Sequence, residues 1–379
     1  MTPKTEDASS LPSPFSFRTV AACGTARAGL MVTNHGVVAT PAFMPVGTYG
    51  AVRAMTPEAT ARTGAQILLS NALHLFLRPG LEVVDALGGL HALMGWDKPI
   101  LTDSGGFQLM SLQSLLKVDE TGFDLRSPVD GSRHRLTPAR IMEVQRRLGV
   151  DIAMVLDHCP AADSSDDVKR AAMDRSTRWA EICVAEPRRP GQAVFAIVQG
   201  GTDLELRHAH LAQLRPLDPS GFALGGLAVG EGTAEMDRVV GAMAPALPAD
   251  RPRYLMGVGL PRDLVASVRA GMDLFDCVLP TRNARNGQLF TWQGKVNISN
   301  ACHRLDPAPV DPECGCATCR RFSRAYLRHL HMTNDILYSV LATEHNLSFY
   351  AALMGRLREA IVAGDDGALE ALQRRFTEA

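Results

Sequence analysis

Short apolar runs alternate with longer amphipathic stretches along almost the whole chain. The runs are VVATPAFMPVG (37–47), AQILLSNA (65–72), PILTDSGG (99–106), DIAMVLDHC (151–159), AVFAIVQGG (193–201), GFALGGLAVG (221–230), RYLMGVG (253–259) and MDLFDCVLPTR (272–282). Most are nearly continuous in apolar residues, as strands buried on both faces must be. Between them, TPARIMEVQRRLG (137–149) carries a Thr N-cap, a Pro in the first turn and a closing Gly, the signals of a helix. SSDDVKRAAMDRSTRWAEICVA (164–185) opens on Ser caps and acidic residues. TAEMDRVVGAMA (233–244) and PRDLVASVRAG (261–271) also have helical spacing. Eight strand–helix steps predict an α/β fold, a (β/α)8 TIM barrel; an open doubly wound sheet is the competing arrangement.

A barrel of this kind works at the C-terminal ends of its strands. Polar residues gather at those ends: Asn71, Asp103, Ser104, Asp157, Gln199, Gly225, Gly226, Gly259 and Asp276. The stretch 283–331 breaks the rhythm and reads as an insertion beside the barrel, with helices over about 333–375 completing the outer ring. Residues 15–379 are expected to form one catalytic domain with a zinc-binding part at about 283–350, after a loose Ser/Pro/Thr-containing leader at 1–14.

Composition narrows the setting. The chain has 379 residues, 46% of them hydrophobic, enough to bury a large core without disulfides. No apolar run approaches the roughly 18 residues a membrane span needs, and the N-terminus has no signal-like core. A cytoplasmic protein is expected, in which clustered cysteines more often hold metal than form disulfides. Net charge is −1, yet residues 281–331 carry +5 and the remainder −6. A basic sector on an acidic body suits a polyanionic partner, although it also fits a solvated helical face.

CGCATC (314–319) places Cys314, Cys316 and Cys319 in one tight turn. Thiolates bind zinc strongly, and structural zinc takes four protein ligands. The fourth is open among His329, His331 and His345 downstream and Cys302 and His303 upstream. A Cys3His set leaves no coordination site for substrate, so such a zinc is scaffolding and the chemistry lies elsewhere.

Asp103, Asp157 and Asp276 end otherwise apolar strands. Buried carboxylates are costly unless paired or used, and N-capping or an Asp276–Arg282 ion pair would be the structural explanation. Two carboxylates suit glycosyl transfer, one attacking the anomeric carbon and one moving protons. A third can read base N–H donors. Gln199 offers a donor and an acceptor, Gly225-Gly226-Leu227 offer bare backbone, and Phe107 and Met256 can sandwich a flat ring. GGLAVG does not fit the dinucleotide pattern.

TDSGGFQ, VQGG, GGLAVGE, YLMGVG and FDCVLPTR, followed by C-x-C-x2-C and EHN, resemble the bacterial tRNA-guanine transglycosylases (queuine tRNA-ribosyltransferases) from about Phe15 to near Phe376. The resemblance implies that His345 is the fourth zinc ligand. It implies that Asp276 attacks C1′ of the wobble guanosine, forming a ribosyl–enzyme, and that Asp103 is the general acid/base. Asp157, Gln199, Gly226 and the Leu227 carbonyl would read the base, Phe107 and Met256 would stack on it, and Arg282 and Arg285 would contact the anticodon loop of tRNA. The reacting nucleotide must leave its stack to reach a barrel mouth. Cys159 and Val229 fit the bacterial type, which exchanges guanine for preQ1 (7-aminomethyl-7-deazaguanine), and a homodimer is implied. Leu73 stands where these enzymes usually carry Tyr. His158 replaces a Glu and is expected to titrate near neutrality. A non-catalytic tRNA-binding relative is disfavoured by retention of Asp103 and Asp276. A sugar-specific barrel glycosidase is disfavoured by the basic insertion and Gln199.

Overall fold

Each apolar run supplies a short parallel strand. In the computed structural model, which describes residues 15–106, 116–160, 164–228 and 230–377, the barrel strands are Ala42–Pro45, Leu68–Asn71, Ile100–Asp103, Ile152–Met154, Ala193–Val198, Gly221–Leu224, Arg253–Leu255 and Leu274–Cys277. They pair in chain order, and the eighth returns beside the first with Leu274 opposite Ala42 and Asp276 opposite Met44. A parallel bridge between Val46 and Leu69 joins first to second and closes the ring. The fifth and sixth strands are buried along their whole length, which explains why they read as unbroken apolar runs. Helices Pro138–Leu148, Asp166–Ala185, Leu204–Leu214, Thr233–Ala246 and Pro261–Ala270 surround the ring. The first follows its sequence signals closely: Thr137 caps it by accepting from Arg140 N–H, and Gly149 ends it at φ +76°.

The run 37–47 is not one strand. Gly36–Thr40 pairs antiparallel with Ala26–Thr33, which pairs with Ser16–Cys23, and only Ala42–Pro45 enters the barrel. Pro41 has no N–H to donate and separates the two. This three-stranded sheet covers the end where the barrel strands begin. Arg27 donates through Nε to Asp273 Oδ1 at 3.0 Å and through Nη1 to the Ala249 carbonyl at 2.7 Å, both just upstream of barrel strands. A second antiparallel sheet (Leu116–Asp119, Gly122–Arg126, Arg133–Leu136) lies between the third and fourth barrel strands.

The run 272–282 also divides: the strand stops at Cys277 and a helix occupies Leu279–Arg285. Beyond it lie a hairpin (Gln288–Thr291, Gly294–Asn297), short helices Ala317–Arg321 and Arg324–Met332, and the long helices Ile336–Ala363 and Asp366–Thr377. This region has its own small core, including Leu289, Ile298, Val310, Leu327 and Leu341. Among the described residues no helix is long and apolar enough to cross a membrane.

Candidate active site at the barrel mouth

The C-terminal strand ends enclose a cavity of about 380 Å³. Asn71, Asp103, Asp157, Gln199, Gly225, Gly226, Leu227, Met256 and Asp276 line it, contributed by seven different strands or the turns after them. Ser104 and Gly259 lie outside it. The leader, Phe107 and Val229 fall outside the described residues.

Asp276 is the third residue of its strand, and its carboxylate is held on one side only. Tyr254 Oη donates to Oδ1 at 2.6 Å and Gly257 N–H donates to the same atom at 2.8 Å. Tyr254 is wholly buried in the seventh strand, so its hydroxyl has one fixed direction. Burial pushes the Asp276 carboxyl up from its ordinary value, and these two donors pull it back. Asp103 ends the third strand in a different environment. Its Oδ1 is sealed from solvent and, among the described residues, accepts no hydrogen bond. Burial and the charge of Asp276 raise Asp103 to about 8, against the pull of Asn71. The two carboxyls thus sit in unlike surroundings and titrate as a coupled pair. No ion pair joins Asp276 to Arg282 among the described residues, and Asp103 does not cap its turn, where Gly106 N–H instead meets Ser104 Oγ at 3.4 Å.

Asp157 forms the opposite wall. Gln199 Nε2 donates to its Oδ2 at 2.6 Å. Burial raises Asp157 to about 6, with the Gln199 bond opposing the shift. Gly225 and Gly226 pass so close that an added Cβ would meet Gln199 side-chain atoms at 2.7 and 2.6 Å. Past them Ala228 N–H is bound by the Glu231 carboxylate, a contact that sequence reasoning did not single out. Tyr254 was likewise read only as a strand residue; its alternation with Asp276 across paired strands was the available signal. Arg282 is exposed on the helix after the eighth strand, and Arg285 is half-buried with Nη1 unpartnered. Burial and nearby Arg53 lower the Arg285 pKa.

Two departures change meaning. Leu73 is fully buried in the main core and does not line the cavity. His158 does not titrate near neutrality. Burial and the adjacent Arg175 push it down to about 4, and its Nδ1 lies 2.8 Å from Arg175 Nη1, so it stays neutral and accepts that bond.

Cys314, Cys316, Cys319 and His345 converge, with ligand atoms within 4.8 Å of one another. His345 Nδ1 lies 3.7 Å from Cys316 Sγ and 3.2 Å from Cys319 Sγ. Tetrahedral zinc bond lengths require an S···N separation of about 3.6 Å. His345 Nε2 lies 2.8 Å from the Phe290 carbonyl, which fixes the tautomer and leaves Nδ1 free to bind. The donor set fits a metal with all four positions filled by protein, and none of the four lines the cavity.

The family model described as queuine tRNA-ribosyltransferase matches residues 22–379. The chain belongs to the queuine tRNA-ribosyltransferase family. Relatives with that name include proteins of Aromatoleum aromaticum (54% identical; 92% of this chain and 95% of the relative covered) and Acidithiobacillus ferrooxidans (53%; 92% and 94%). The relative from Cereibacter sphaeroides is 52% identical, covering 92% and 93%. In this family setting, two carboxyls held in unlike surroundings face one cavity.

Proposed function

We propose that this queuine tRNA-ribosyltransferase family member replaces guanine at the wobble position of GUN-anticodon tRNAs with preQ1, in queuosine biosynthesis, through a ribosyl–aspartate intermediate. It rests above all on one arrangement: Asp103 and Asp276, on non-neighbouring strands, line one cavity in unlike surroundings, with burial and the charge of Asp276 raising Asp103 to about 8. Asp276 attacks C1′ of the ribose through Oδ2, since Oδ1 is already committed to Tyr254 and Gly257. The C1′–N9 bond breaks, and the departing guanine takes the proton held by Asp103. The incoming base then gives a proton to Asp103 as its nitrogen attacks C1′, and the C1′–Oδ2 bond breaks to free Asp276.

Asp157, Gln199, Gly226 and the Leu227 carbonyl read the base, with Met256 and Phe107 against its faces. Arg282 and Arg285 hold the anticodon loop. Zinc occupies the Cys314–Cys316–Cys319–His345 set, fixing the fold of residues 283–350 within one catalytic unit of residues 15–379. The protein works as a cytoplasmic homodimer.

The test is incorporation of labelled guanine and of preQ1 into a GUN-anticodon tRNA, with denaturing-gel detection of a covalent protein–tRNA adduct. Asp276→Asn is expected to lose the adduct and slow exchange by at least about 10³-fold, because an amide is a poor nucleophile. Substantial adduct in that variant would reassign the nucleophile.

A further inference from the structure

Arg207 is 0% exposed, on the helix Leu204–Leu214 behind the cavity, and does not line it. A buried guanidinium normally faces a carboxylate, but among the described residues Arg207 has no ion-pair partner within bonding distance. All of its recorded hydrogen bonds go instead to carbonyls of two loops. Nε donates to Gly201 at 2.6 Å, Nη1 to Val198 at 3.1 Å and Nη2 to Gly225 at 2.8 Å. Val198 and Gly201 flank Gln199 after the fifth strand, and Gly225 follows the sixth. From the same helix, His210 Nδ1 accepts from Gln199 N–H at 2.8 Å. The helix thus grips both sides of the Gln199 turn and the neighbouring glycine turn through fixed, directional bonds.

The consequence lies in the Gly225–Gly226 peptide. It is trans, so its C=O and N–H point in opposite directions. Arg207 draws the Gly225 carbonyl back, which turns the Gly226 N–H toward the cavity that both glycines line. That N–H donates to no group among the described residues, whereas Gly225 N–H is already bound to the Val198 carbonyl at 3.1 Å. A preset donor with no internal partner is built for an acceptor on the ligand.

We propose that Arg207 is the positioning residue of the base pocket: by holding three loop carbonyls, it aims Gly226 N–H at the 6-oxo group of the bound purine and so makes that oxygen a determinant of specificity. This rests on the base-exchange reading above. Burial brings Arg207 down only to about 10, so it remains a cation at working pH and its bonds to carbonyls are charge-assisted.

The probe pair is guanine and 6-thioguanine, which keeps the hydrogens of guanine but places sulfur, a weak acceptor, at position 6. Inhibition constants against labelled-guanine exchange are measured for wild type, Arg207→Lys and Arg207→Gln, with tRNA affinity and melting temperature alongside. Wild type should favour guanine by about 10-fold, the value of one hydrogen bond of this kind. In Arg207→Lys, which keeps charge but loses the fork, the preference should fall to within about 2-fold, with tRNA affinity unchanged. A merely structural role would lower melting temperature while preserving the ratio, and that result overturns the proposal. If neither variant folds, wild type decides: equal inhibition by the two bases overturns the proposal and the guanine preference supports it. Wild type that incorporates no guanine at all would instead defeat the base-exchange reading.

Discussion

At the scale of single residues, the site works by giving two like groups unlike surroundings. Asp276 has two donors on one oxygen, while Asp103 has a sealed oxygen with none among the described residues. Tyr254 is the residue that makes this asymmetry, and Tyr254→Phe isolates it. Its hydrogen bond lowers the Asp276 pKa against the upward push of burial. Removing it raises that pKa, so the acid limb of the kcat/KM profile moves to higher pH. A hydrogen bond to a charged group is worth about 1.5–3 kcal/mol, which corresponds to roughly 1–2 pH units. The alkaline limb, set by loss of the Asp103 proton near 8, should stay where it is or move slightly. A pH–rate profile for exchange decides the matter. If kcat falls while the acid limb does not move, Tyr254 is merely packing.

At the scale of elements, the barrel strands were legible because burial on both faces leaves an apolar run that no surface element shares. The sheet at Ser16–Cys23, Ala26–Thr33 and Gly36–Thr40 was not, because its outer strand is mostly exposed and its third strand abuts a barrel strand across Pro41. The sheet spanning Leu116–Leu136 was hidden for the same reason, since Leu116–Asp119 alternates half-buried and exposed. Three of the four candidate metal ligands were visible as spacing; the fourth lies on a distant helix, and only the family resemblance supplied it. Nothing in the sequence joined His35, His91 and Asp151, which meet where the N-terminal sheet abuts the barrel. His35 Nδ1 lies 2.8 Å from Asp151 Oδ1, and His91 Nε2 lies 3.2 Å from Oδ2. The two rings stack with centroids 3.6 Å apart and planes 13° apart. Each ring thus meets its own oxygen of one carboxylate, the arrangement of a hydrogen-bonded clasp. Asp151 raises the His35 pKa through a hydrogen bond, and Asp151 is in turn held well below the usual carboxylate range. A histidine raised in the folded state contributes stability fully present below about 6.5, its unfolded value, and lost as pH rises through the folded value. The Asp151 contribution is lost only as pH falls below about 3.9. Wild-type urea midpoints should therefore decline from pH 6 to 8, and His35→Ala should flatten that decline. An unchanged slope in the variant would show that the clasp does not carry the proton.

At the scale of the whole molecule, the barrel and the cysteine-bearing region differ in how they are held. The barrel has a large continuous core, while the C-terminal region has a small one in which Cys316 and Cys319 are themselves members. A core of that size gains from a staple, and a metal held by the four convergent residues would supply one. The region is not remote from the cavity, whose lining ends at Val278 just before the helix Leu279–Arg285. Ala284, on the helix bearing Arg282 and Arg285, packs in the small core. Asn346, adjacent to His345, donates to the Pro280 carbonyl at 2.9 Å and accepts from Phe290 N–H at 3.0 Å. The candidate metal set thus stands one residue from the brace that sets the arginine helix, while Asp103, Asp157 and Gln199 are positioned by the barrel. Chelation should accordingly separate two affinities. Metal-stripped protein is expected to bind a GUN-anticodon tRNA at least about 10-fold more weakly, as charge contacts on a loosened helix are lost. Its affinity for free guanine should change by less than about 2-fold, since the base pocket belongs to the barrel. Metal content, tRNA affinity by filter binding and guanine affinity by calorimetry are measured on one preparation. Equal loss of both affinities would mean that the metal supports the barrel itself, and unchanged tRNA binding would mean that the arginine helix stands without it.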